Sequence, residues 1–165
     1  MKKLHKTEFG HGDASSASAT ERQTDMYAAM LRWLGVKPRT VAEVEQKLHE
    51  RFDDISSDEV ETIINRLKEK KYLDDAQYAL DYVDEAKRLH PMGRNLIRHR
   101  LIERGVPELH IDQALETLTS EEEKSLAEKV IAGKPRSSFE AQAKLMRYLD
   151  SRGFPQDVAH AIVFR

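Results

Sequence analysis

The residues of this sequence best suited to chemistry are arginines and lysines at helical spacing. Arg94 and Arg98 are four apart, as are Arg100 and Arg104, so each pair shares one face of a helix. A guanidinium makes paired hydrogen bonds to a carboxylate or a phosphate, so such a face suits an anionic partner. Lys37 and Arg39 recur as Lys134 and Arg136, and Lys144 and Arg147 follow the second copy. These ten residues are the candidate partner- or DNA-binding set. The competing reading of each is ordinary: a charge paired within the protein, or a solvated face.

Catalytic groupings are not found. There is no cysteine, no Gly-x-x-x-x-Gly-Lys phosphate loop and no Gly-x-Ser-x-Gly elbow. His49, His90, His99, His110 and His160 share no spacing that makes a ligand set, and His5 and His11 stand alone in a polar tail. Asp74 and Asp75 are adjacent and read as helix caps, not as an acid–base pair. The sequence is therefore read as non-enzymatic, with no metal and no cofactor.

The elements that must position the cations repeat. Residues 37–48 and 134–145 share Lys-Pro-Arg, a cap residue (Thr40 or Ser137), and Glu, Lys and Leu at the same offsets. Leu101–Pro107 is echoed by Leu149–Pro155 through Leu, Arg-Gly and Pro. Apolar residues recur at 3.6-residue spacing throughout. Met26, Met30, Leu31 and Leu34 form one stripe; Val41, Val44, Leu48 and Phe52 form the next. Val60, Ile63, Ile64 and Leu67 follow a cap at Ser57, and Tyr72 and Leu73 close that unit. The last unit opens at Ser120, and its second helix is capped by Ser137 or Ser138 and carries Phe139, Leu145, Met146 and Leu149. Thr40 with Glu43 is a capping box, and Gly105 a left-handed helix stop.

The expected fold is all-α: three tandem three-helix repeats in an elongated, curved array, over residues 21–73, 74–118 and 119–165. Residues 1–20, rich in Gly, Ser and His, are expected to be a disordered tail. Trp33 is expected to be half-buried beside the first stripe.

Charged residues make up 34% of the 165, with 27 basic against 29 acidic, a net charge of −2 that argues against a general electrostatic DNA binder. The distribution is uneven. Residues 74–86 hold five acids and no Lys or Arg, whereas residues 87–104 hold six Lys or Arg and only Glu103. No apolar run has the ~18 residues of a membrane span, and no secretory signal is evident. A cytoplasmic monomer that does not engage membranes is expected.

Several of these stretches resemble the RecX family. They are Tyr72-Leu73-Asp74-Asp75 followed by Tyr78-Ala79; Gly93-Arg94-x-x-Ile97-x-x-x-Leu101-x-x-Arg104-Gly105-Val106; Lys37-Pro38-Arg39-Thr40 with Glu43 and Leu48; and Arg152-Gly153-Phe154 with Val158 and Ile162. The resemblance covers about residues 26–164 in order. Two positions depart from it: Lys71 stands where glycine is usual, and Arg100 where an acid is common. The resemblance implies three tandem three-helix repeats that bind the RecA–single-stranded-DNA filament in its groove. It also implies suppression of recombinase, ATPase and LexA-coprotease activities.

A rival reading takes residues 38–73 as a helix-turn-helix module of a duplex-DNA-binding transcription regulator. Its recognition helix, 57–71, would open on Asp58, Glu59 and Glu61, which repel phosphate, and an acidic helix would stand where a wing belongs. A generic helical scaffold is the third possibility.

Overall fold

The computed structural model describes residues 13–165, with side chains from 18 onward. Among the described residues every regular element is a helix: α1 Asp13–Leu34, α2 Val41–Arg51, α3 Ser57–Glu69, α4 Asp75–Arg88, α5 Arg94–Glu103, α6 Glu108–Glu116, α7 Ser120–Ile131, α8 Phe139–Ser151 and α9 Gln156–Val163. They group in threes. In each group the first and third helices pack together and the second closes on the third. The winged reading fails at Asp75, where α4 begins in place of a β-ribbon.

Local chemistry explains the boundaries. Thr40 caps α2 and Glu43 reaches back to its N–H, as expected. The same box caps α3 from Ser56 with Glu59, and α7 from Thr119 with Glu122. The α3 cap stands one residue before Ser57, the cap expected from sequence, whereas α7 opens at Ser120 as expected, with Thr119 as its cap. The reason is the third position: Ser56 and Thr119 stand three before a glutamate free to reach back, whereas Ser57 stands three before the buried Val60 and Ser120 before the buried Glu123. Ser138, not Ser137, caps α8.

Three helices end in the same six-to-one hydrogen bond: Tyr72 N–H to Leu67 O, Val106 N–H to Leu101 O and Phe154 N–H to Leu149 O. The turn needs a left-handed residue, supplied by Gly105 (φ +72°), Gly153 (φ +78°) and Lys71 (φ +61°). The departure at Lys71 therefore leaves the turn intact, at a conformational cost of about 1–2 kcal/mol for a residue carrying a Cβ.

Three further expectations are corrected. Helix α1 starts at Asp13, inside the segment read as a disordered tail, in keeping with the high helix propensity of its alanines; residues 1–12, with His5 and His11, lie outside the described residues. Tyr72 does not close the first unit: Leu73 is buried, but Tyr72 is 54% exposed, held by its backbone. Phe139 is 84% exposed, because it is the first residue of α8, before the helix turns its apolar stripe inward.

The apolar side chains form two cores. One belongs to the first repeat, around Met26, Met30, Val44, Leu48, Ile63 and Leu67, with Trp33 half-buried at its edge. The other runs unbroken through the second and third repeats, from Ala79 and Ile97 to Leu149 and Ile162.

Candidate partner interface

Helix α5 and its C-cap Arg104 carry four of the ten candidate cations, and among the described residues no ion pair joins any of the four to an acid of helix α4. Each arginine goes to a different element. Arg94 donates from Nε to Glu123 of α7 at 2.6 Å and from Nη2 to the Leu118 carbonyl at 3.1 Å. The other Glu123 oxygen accepts the Arg94 backbone N–H at 2.7 Å, so this buried carboxylate caps α5, whose N-cap Gly93 offers no side chain. Arg98 pairs with Asp112 and Glu108 of α6. Arg100 pairs with Glu103 of its own helix at 3.2 Å. Arg104 reaches Glu43 of α2 at 3.1 Å. The basic helix is thus tied to its neighbours on three sides.

The family-like pattern in and after α5 has a structural meaning as well. Ile97 and Leu101 are fully buried. Gly93 lies so close to the α8–α9 turn that a Cβ there would sit 2.2 Å from the Gly153 carbonyl oxygen. Gly93 N–H donates to Arg152 O, and Asn95 N–H to Gly153 O, at 2.9 and 3.0 Å. The second and third repeats are joined by backbone as well as by a common core.

The first repeat meets the second through polar groups. Thr40 Oγ1 donates to the Arg104 carbonyl at 2.6 Å, and the Val41 N–H donates to the Asp75 carboxylate at 2.9 Å. Asp74 caps its own helix, α4, whereas Asp75 caps α2 across the junction. Burial pushes the Asp75 carboxyl above its ordinary range, and the Val41 hydrogen bond opposes that shift.

The repeated Lys-Pro-Arg stretches divide their labour. Both arginines fold inward: Arg39 over the Trp33 ring, 4.3 Å from its centroid, and beside Glu43, and Arg136 onto the Ile162 carbonyl at 3.1 Å. Both lysines stay exposed on the lips of clefts with tyrosine walls. Lys37 and Pro38 border a cleft of about 360 Å³ with Tyr78, Tyr82 and Arg104, but also Asp81 and Glu85. Lys134 and Pro135 border one of about 430 Å³ with Lys144 and Tyr148. Lys144 pairs with Glu140 on the open surface, and Arg147 is exposed one residue before Tyr148. The tyrosines were not among the sequence candidates; the signal for Tyr148 was its place four residues after Lys144 on one helix face.

Among the described residues no His, Asp and Glu group is arranged to hold a metal ion, and no helix is long and apolar enough to cross a membrane.

Comparison with known proteins bears on what these surfaces serve. Models of the first, second and third three-helix domains of RecX match residues 27–67, 74–115 and 124–163. The chain is 33% identical over 141 residues to the regulatory protein RecX of Leuconostoc mesenteroides, covering 82% of this chain and 52% of that one. It is 34% identical over 134 residues to that of Clostridium perfringens strain SM101, covering 77% and 61%. The chain thus spans between about half and three-fifths of the length of these curated relatives. A crystal structure of regulatory protein RecX superposes with a TM-score of 0.83 at 27% identity, covering 99% of this chain and 82% of that chain. RecX from Lactobacillus salivarius superposes with a TM-score of 0.77 at 28% identity, covering 88% and 96%. With all three domains matched in order along one chain, the protein belongs to the RecX family.

Proposed function

We propose that this chain is a non-enzymatic negative regulator of the RecA recombinase, acting on the RecA–single-stranded-DNA filament from within its groove. The observation that carries the reading is the series of three RecX domains, first to third, on one chain. A protein built of similar units in a row can meet successive subunits of a partner that is itself repetitive. The cations left facing solvent, Lys37, Lys134 and Arg147, with the outer faces of Arg98, Arg100 and Lys144, are the surface offered to RecA or DNA. Arg39, Arg94, Arg104 and Arg136 support that surface by tying the helices that carry it.

The test is a titration of the full chain into RecA, single-stranded DNA and ATP, following ATP hydrolysis and LexA cleavage. Substoichiometric inhibition of both is the expected result. Unchanged hydrolysis and cleavage, with tight binding to a defined duplex, would move the chain to the transcription regulators.

A further inference from the structure

The cleft on the third repeat has a composition that ion pairing does not explain. Lys144 and Tyr148 are four apart on α8 and so share a face, and Lys134 reaches them from the loop after α7. The Lys134 ammonium lies 4.9 Å from the Tyr148 ring centroid, on a ring that is 40% exposed. On the same helix, Lys144 is held by Glu140 at 2.7 Å, but both side chains are more than half exposed, so the pair is worth little and opens readily. Phe139 stands fully outward at the start of the same helix. The volume of about 430 Å³ lies at the small end of ligand pockets.

An occupant must supply a flat π-face for Tyr148 and negative charge for two lysines. A nucleotide with an unpaired base has both. A base inside a duplex presents only its edges in the grooves, so it cannot stack on a side chain without being flipped out. The corresponding cleft at Lys37 has tyrosines too, but Asp81 and Glu85 on its walls repel phosphate. The recurrence of Lys-Pro beside tyrosine therefore leads to different electrostatics in the two repeats.

We propose that the Lys134–Lys144–Tyr148 cleft is a nucleotide-stacking site for single-stranded nucleic acid. One unpaired base packs on Tyr148, taking the place of the Lys134 ammonium on the ring. Lys134 takes a flanking phosphate, and Lys144 takes the next after leaving Glu140. The assignment rests on the filament reading for the choice of DNA over RNA, and on nothing else in it.

The experiment measures the anisotropy of a short fluorescein-labelled oligothymidylate with the full chain and no recombinase present. Tyr148→Ala should weaken binding about fivefold or more, and Tyr148→Phe should keep the wild-type affinity within about twofold. Replacing Lys134 and Lys144 by alanine should make the log–log salt dependence shallower by about 1.4, from about 0.7 for each phosphate contact. Glu140→Gln should tighten binding, an effect that a purely structural role for the cleft would not produce. Circular dichroism checks that each variant keeps its helices. The proposal is overturned if the wild type does not bind the oligonucleotide, or if Tyr148→Ala binds as well as wild type. It is also overturned if Tyr148→Ala loses RecA inhibition but keeps its DNA affinity, because the cleft then receives a protein surface. Should the wild type bind as described yet leave RecA's ATP hydrolysis untouched, the filament reading falls and the stacking site stands.

Discussion

At the scale of single residues, the main finding is where the arginines spend their charge. Arg94 was as good a candidate for a partner contact as any cation here, yet its guanidinium and its backbone N–H both bind Glu123. Glu123 is 1% exposed, so removing it leaves a partly buried cation and an unpaired helix N-terminus. Breaking a fully buried pair costs about 3–5 kcal/mol. The Arg94 side chain keeps about a third of its surface in water, so the expected loss for Glu123→Ala is smaller, about 2–3 kcal/mol. Urea unfolding measures it. A loss below about 0.5 kcal/mol would mean that the pair does not hold the junction. A charge reversal at Arg94 therefore disturbs the fold before it reports on any partner, whereas Arg100 and Arg147 can be changed at the surface.

At the scale of helices, the capping boxes make the fold sensitive to acid. The backbone N–H groups of Ser56 and Thr119 hold the Glu59 and Glu122 carboxyls below their ordinary value of 4.5. Because the folded state lowers these values, the stability they contribute is present above about 4.5 and is lost as pH falls through the folded values. Asp75 acts in the opposite sense: its raised value favours the protonated form in the folded state, so its contribution is lost as pH rises above the ordinary 3.8 and through the folded value. Unfolding midpoints measured from pH 6 to pH 3 should fall with acid. The double variant Glu59→Gln, Glu122→Gln should show a shallower fall. Parallel profiles for variant and wild type would show that the boxes do not govern the acid response.

At the scale of the molecule, two cores imply two thermodynamic units. The first repeat has a core of its own and meets the second through Thr40, Asp75 and the Glu43–Arg104 pair. The second and third repeats share one continuous core, and hydrophobic burial couples them far more strongly than a few partly exposed hydrogen bonds can. A small core standing alone is marginal, so the first repeat should unfold first. Trp33 is the only tryptophan and sits against the first core, so its fluorescence reports that repeat while circular dichroism reports all helices. The fluorescence transition in urea should precede the dichroism transition; coincident curves would mean that the polar junction couples the units fully.

The order of the helices and several of their ends were legible in the chain itself, because a capping box or an apolar stripe is decided by neighbours three and four residues away; the α3 cap, Ser56, was read one residue late. Thr40 with Glu43, Gly105, Gly153 and the buried stripes around Val44, Ile97 and Leu149 are all of this kind. The family resemblance rested on the same local features. The fate of the charges was not legible, because Arg94 meets Glu123 and Arg104 meets Glu43 across long stretches of chain. Spacing along one helix says which cations share a face; it does not say what lies opposite that face. Only the packing of one repeat on the next turned Arg94 and Arg104 into internal ties, and the packing inside a repeat did the same for Arg39 and Arg136. The junction of the first and second repeats left Lys37 beside one open cleft, and the third repeat's own packing left Lys134 and Tyr148 beside another.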